Sequence, residues 1–122
     1  MKQLLIVAVA ILLCILIVAP TFTQNPYTEL YQALEASDGA VTESIIAELE
    51  KYFVENPEEF LKEYKKQDES LQLLVAMNFA YISQGEEGYA KNMRETILSV
   101  KDNPAAAEIV AAYQKVSAEY NG

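Results

Sequence analysis

On a helical wheel, with about 100° between successive residues, the stretch Ser70 to Gly85 (SLQLLVAMNFAYISQG) has no polar face. Leu71, Leu74, Val75, Met77, Tyr81 and Ile82 fill one broad arc, and Leu73, Ala76, Phe79 and Ala80 fill most of the rest. The stretch carries no charge in a chain where 22% of residues are charged. A helix apolar nearly all round is expected to be wrapped by other helices. Asn78 interrupts this surface between Leu74 and Ile82. An unpaired amide there would cost about 1–3 kcal/mol, so it should bond a tyrosine hydroxyl or a backbone carbonyl of a neighbouring helix. The other reading of Asn78 is a polar point in a ligand pocket.

The flanking sequence predicts more helices and no strand. Asn25-Pro26 starts one, with Asn as N-cap and Pro at the first helical position, and Tyr27, Leu30, Tyr31 and Leu34 form its stripe up to Ser37. After an Asp38-Gly39 turn, Thr42 is the expected cap of a second helix running to about Glu55. It buries Ile45, Ile46, Leu49 and Phe53 and keeps Glu43, Glu48, Glu50 and Lys51 off that face. Asn56-Pro57-Glu58-Glu59 is a strong start signal for a third, with an acid placed to close a capping box. Phe60, Leu61 and Tyr64 are its buried stripe, and Asp68 is expected to recap the central helix. Gly85 ends that helix. Glu86-Glu87 open the next, whose stripe is Tyr89, Met93, Ile97 and Val100, with Lys91 and Arg94 facing water. Asn103-Pro104 caps a last helix with the face Ile109, Ala112, Tyr113, Val116 and Tyr120, and its alanines permit close approach of a neighbour.

The N-terminus changes where this all-α domain is expected to sit. Leu4 to Ala19 is an unbroken apolar run after Met1-Lys2-Gln3, and the first acid is Glu29. A run of this length lies between a signal peptide and a membrane anchor. Thr21 and Thr23 are the best small pair for cleavage before Gln24, whereas residues 4–22 would form the span if uncleaved. The chain therefore divides into residues 1–24, a signal peptide or membrane anchor, and residues 25–122, a compact domain of about six short helices. With Lys2 as the only charge before the run, the positive-inside rule places residues 25–122 on the extracytoplasmic side. That domain is membrane-anchored, or periplasmic or secreted if cleavage occurs near Thr23.

Beyond Lys2 there are eight basic and 18 acidic residues, a net charge of −10. Such a domain repels nucleic acid and anionic lipid, and suits neutral or basic protein partners. The only cysteine is Cys14, and histidine is absent. The usual zinc sites and His-dependent triads are thereby excluded from residues 25–122. There is no Gly-rich phosphate loop and no Ca²⁺ loop. Paired acids such as Glu58 and Glu59 are explained by the helix dipole. No catalytic residue, metal ligand or cofactor is expected.

The order Gly39, Asn56-Pro57, helix recurs as Gly85, Asn103-Pro104, helix, with spacings of 46 and 47 residues. This period resembles HEAT and armadillo repeats, and the stretch from Ala76 to Pro104 resembles a tetratricopeptide hairpin, with Tyr81, Gly85 and Ala90 near the expected spacing. It departs from that pattern at Arg94, where a bulky apolar residue belongs. The spacing suggests one three-helix unit laid down twice, and the resemblance implies a helical repeat. A compact six-helix domain fits equally.

Of eight tyrosines most fall on the expected buried stripes, but Tyr52 does not. With Glu48, Glu55, Glu58, Glu59 and Glu63 around it, Tyr52 marks a candidate partner-binding surface, a rigid aromatic among acids. Two functions follow: a non-enzymatic module that binds a protein partner, or an acidic inhibitor or immunity protein against a basic envelope hydrolase.

Overall fold

The structure, a computed structural model, describes residues 25–121; the expectations for the apolar run and its cleavage lie outside the described residues. Among the described residues there are six α-helices and no strand: α1 (Pro26–Ala36), α2 (Gly39–Glu55), α3 (Pro57–Tyr64), α4 (Glu69–Ile82), α5 (Gly88–Ser99) and α6 (Ala107–Asn121). A single 3-10 turn, Pro104–Ala106, leads into α6. No described helix is long and apolar enough to cross a membrane.

All three Asn-Pro pairs cap as the sequence predicts. The Asn25 side chain accepts from the Tyr27 N–H at 3.0 Å, Asn56 from Glu59 at 3.3 Å and Asn103 from Ala105 at 2.9 Å. The box at Asn56 closes differently from expectation. Its backbone N–H is already donated to the Tyr52 carbonyl, so Glu59 accepts from the Asn56 side-chain amide at 3.1 Å instead. Thr42 is not a cap. α2 begins three residues earlier at Gly39, whose φ of +52° favours glycine, and the Thr42 hydroxyl shares a 2.7 Å hydrogen bond with Ser37. Asp68 stands at the N-cap of α4 but makes no side-chain cap bond.

The core is built on aromatic rings from four helices. Phe60 is fully buried, with its centroid 5.1 Å from Phe53, 5.6 Å from Phe79, 5.9 Å from Tyr27 and 6.0 Å from Tyr64. Buried Leu49, Leu61, Val75, Met93, Ile97, Ile109 and Val116 extend it. α4 and α6 make the most extensive helix pairing, and the small residues Ala76 and Ala80 of α4 and Ala112 of α6 are buried. Small side chains there let the two backbones approach.

The central helix is nevertheless not wrapped on all sides. Leu73 and Tyr81 are about half exposed, and Tyr120, expected in the core, lies outside with its ring edge toward Tyr81. α4 also stops at Ile82 rather than Gly85. Arg94 explains the turn that follows: instead of facing water, its guanidinium donates to the carbonyls of Ser83 at 2.8 Å and Gly85 at 2.7 Å, groups that a helix end leaves unsatisfied. A Cβ on Gly85 would come within 3.2 Å of the Ala90 Cβ, so this turn lies close against α5. On α5 itself Ala90 is buried with Met93 and Ile97, whereas Tyr89, expected on that stripe, faces outward.

Two polar links fasten the helices together. The Tyr64 hydroxyl lies 3.0 Å from the Gln72 carbonyl and 2.9 Å from the Glu108 carboxylate, and its single proton can serve one of them at a time. Gln72, itself buried, donates to the Gln67 carbonyl at 2.8 Å and so closes the turn between α3 and α4.

Candidate functional site

Beside the outward-facing Tyr89 lies a groove of about 650 Å³ between α2, α4 and α5. Glu43, Ile46, Ala47, Glu50 and Lys51 line it from α2, Asn78 and Ile82 from α4, and Tyr89 from α5. A further hollow of about 170 Å³ shares Glu50, Lys51 and Tyr89 and extends the groove to Val54, Glu55 and Asn92. Ligand pockets commonly run from about 300 to 1,000 Å³, mostly apolar with a few fixed polar groups. Ile46, Ala47, Val54, Ile82 and the Tyr89 ring supply the apolar part here.

The polar groups are Glu50 and Asn78. Glu50 is half-buried and, among the described residues, has no hydrogen bond or ion pair; burial raises its pKa above the ordinary carboxylate range, with Lys51 opposing. Lys51 itself is turned to Glu48, 3.1 Å away. Asn78 donates to the Leu74 carbonyl of its own helix at 2.8 Å, not to a neighbouring helix. Because that bond uses one amide hydrogen, the amide oxygen and the second N–H are left without a protein partner in the groove wall.

The acids around Tyr52 are distributed differently. Tyr52 is half-buried, its ring centroid 5.1 Å from that of Tyr27. The Tyr27 phenol is pushed up to about 12, by burial first and then by Glu59, Tyr52, Glu63 and Glu55, so those acids do gather near this ring pair. Several have local partners: Glu48 pairs with Lys51, Glu63 with Lys66 at 3.1 Å, and Glu59 with the Asn56 amide. Glu58 is exposed on the first turn of α3. Glu50 and Tyr52, two residues apart, project about 160° apart on α2, so groove and Tyr52 surface lie on opposite sides of that helix. Only Glu55 belongs to both.

Glu50 and Tyr89 were not singled out by the sequence. An acid placed i+4 from buried Ile46 and i+3 from Ala47 is the trace Glu50 leaves, and it is faint, since most such acids are solvated. Elsewhere, the buried Tyr31 hydroxyl has no partner, and its pKa is raised, by burial first and then by Tyr27 and Glu63. Among the described residues no group of three or more His, Cys, Asp or Glu is placed to hold a metal.

Comparisons with protein-family models, curated proteins and solved structures give no match.

Proposed function

We propose that residues 25–122 form a non-enzymatic module that binds a polypeptide partner in the groove between α2, α4 and α5. The observation that carries this reading is the groove itself: an open channel with aliphatic side chains in its walls, an exposed tyrosine at its rim, and facing it the Glu50 carboxylate and the part of the Asn78 amide that the Leu74 bond does not use. From Glu43 to Val54 it follows α2 for on the order of 16 Å, the length of three turns of a docked helix. Helix-in-groove recognition uses such a surface, with side chains at i, i+3, i+4 and i+7 as anchors.

The groove is preferred to the Tyr52 surface because Glu48, Glu59 and Glu63 already have partners of their own. That preference also sets the inhibitor reading second, since it needs those carboxylates free to meet a cationic enzyme. We place the module outside the cytosol, tethered by the apolar run from Leu4 or released near Thr23. The matching caps of Asn56 and Asn103 support an internal duplication, although Asn25 has no capping counterpart at the start of α4 and the close α4–α6 pairing has none of similar extent between α1 and α3.

A photo-crosslinking amino acid in place of Tyr89, expressed in the full chain in its native cell, tests the reading. A defined polypeptide adduct from position 89, lost when Ala47→Trp fills the groove, is expected. Adducts from position 52 with none from position 89 would transfer the function to the other side of α2.

A further inference from the structure

Resting on the groove reading above, we infer that the docked segment carries a lysine or arginine among apolar residues, its cation held by the Glu50 carboxylate and its apolar neighbours seated on Ile46, Ile82 and Tyr89. Charge complementarity is the argument. A half-buried carboxylate with no partner is a cost to the free protein, and a cation brought by the ligand converts that cost into attraction. Lys51 cannot supply it without leaving Glu48.

Three further features agree. Glu43 at one end of the groove and Glu50 and Glu55 toward the other outnumber Lys51, which is turned to Glu48, so the groove is acidic on balance in a domain whose net charge of −10 disfavours an acidic segment. Tyr89 is 56% exposed, so its ring face is open to a cation approaching Glu50. The unused Asn78 amide can pair with one backbone or side-chain polar group of the ligand, fixing its register. A bare metal ion is a poor alternative, because the acids here are strung along a helix without converging.

The test is selection of a random 12-residue peptide display library on the full-length chain held in phosphatidylcholine nanodiscs, with empty discs for counter-selection. The expected peptides keep one basic residue at a fixed place among apolar ones, lose binding to the Ala47→Trp chain, and bind the Glu50→Gln chain about tenfold more weakly, as for loss of one partly desolvated charge pair. Peptides that need an open groove but show no fixed cation and bind E50Q unchanged would overturn this inference while leaving the groove reading intact. Peptides indifferent to A47W would overturn both. So would an empty selection; where it is accompanied by A47W-sensitive dimerisation or by A47W-sensitive protection of residues 43–51, a second copy or residues 1–24 fill the groove instead.

Discussion

Phe60→Leu should test whether the ring cluster is the main source of cohesion in this domain. Leucine keeps an apolar side chain at a site with no exposure but removes all four ring contacts made at 5.1 to 6.0 Å. Aromatic pairs contribute about 0.5–1.5 kcal/mol each beyond their buried area. Four pairs at the lower bound give a loss of about 2 kcal/mol, and the smaller side chain adds to it. A domain of this size has about 5–15 kcal/mol in total, and about 2 kcal/mol corresponds to a fall in Tm of roughly 8–16 °C. Denaturant unfolding of the full chain, followed by far-ultraviolet circular dichroism, gives the value. The Phe60→Leu/Phe79→Leu cycle then isolates one pair, with a coupling of at least about 0.5 kcal/mol expected. A loss under about 1 kcal/mol for Phe60→Leu, or independent effects in the cycle, would refute the reasoning.

Tyr31→Phe removes a buried hydroxyl that bonds nothing, so unfolding experiments should show unchanged or higher stability; a clear loss would reveal a partner for that hydroxyl. Arg94→Met removes both bonds that the Nη1 group donates to the Ser83 and Gly85 carbonyls, and a loss of about 1–3 kcal/mol with faster amide exchange in residues 83–90 is expected. The raised phenols of Tyr27, Tyr31 and Tyr64 favour the folded state fully below the unfolded tyrosine value of 10.0, and Tyr27 loses its share as pH rises through about 12. Phenolate absorbance should therefore show these three tyrosines lagging until the domain unfolds; simultaneous ionisation of all eight would contradict it. Glu50 has the opposite practical consequence. Its raised pKa contributes stability only below the ordinary carboxylate range and is a liability at neutral pH, so Glu50→Gln should leave Tm equal or higher even as it weakens binding.

The helical class and the Asn-Pro starts were legible because a cap acts through the residues beside it. Asn25, Asn56 and Asn103 each bond an N–H two or three residues on, whatever the rest of the chain does. The buried stripe of α2 was equally plain, with Ile45, Ile46, Leu49 and Phe53 all in the core. Long-range decisions were not legible. Arg94 reads as a solvated cation until the carbonyls of Ser83 and Gly85 are known to lie within its reach, and Tyr89 reads as part of the buried stripe although Ala90 takes that place. The uncharged surface of α4 did not report how many neighbours it has, because Leu73 and Tyr81 look the same in sequence whether covered or open. The groove followed from both of these effects. Its key acid, Glu50, is distinguished from the fifteen exposed ones only by the walls around it.

The central claim is that the binding surface is the groove and not the opposite side of α2. The most direct measurement is calorimetric titration of the polypeptide captured at position 89 against three forms of the full chain: unaltered, Ala47→Trp, and Glu58→Lys. Ala47 lines the groove, whereas Glu58 is an exposed acid of the Tyr52 surface outside it. Affinity at least about tenfold weaker for A47W, with E58K close to the unaltered chain, is the predicted result. Full affinity for A47W together with a loss in E58K would contradict the account.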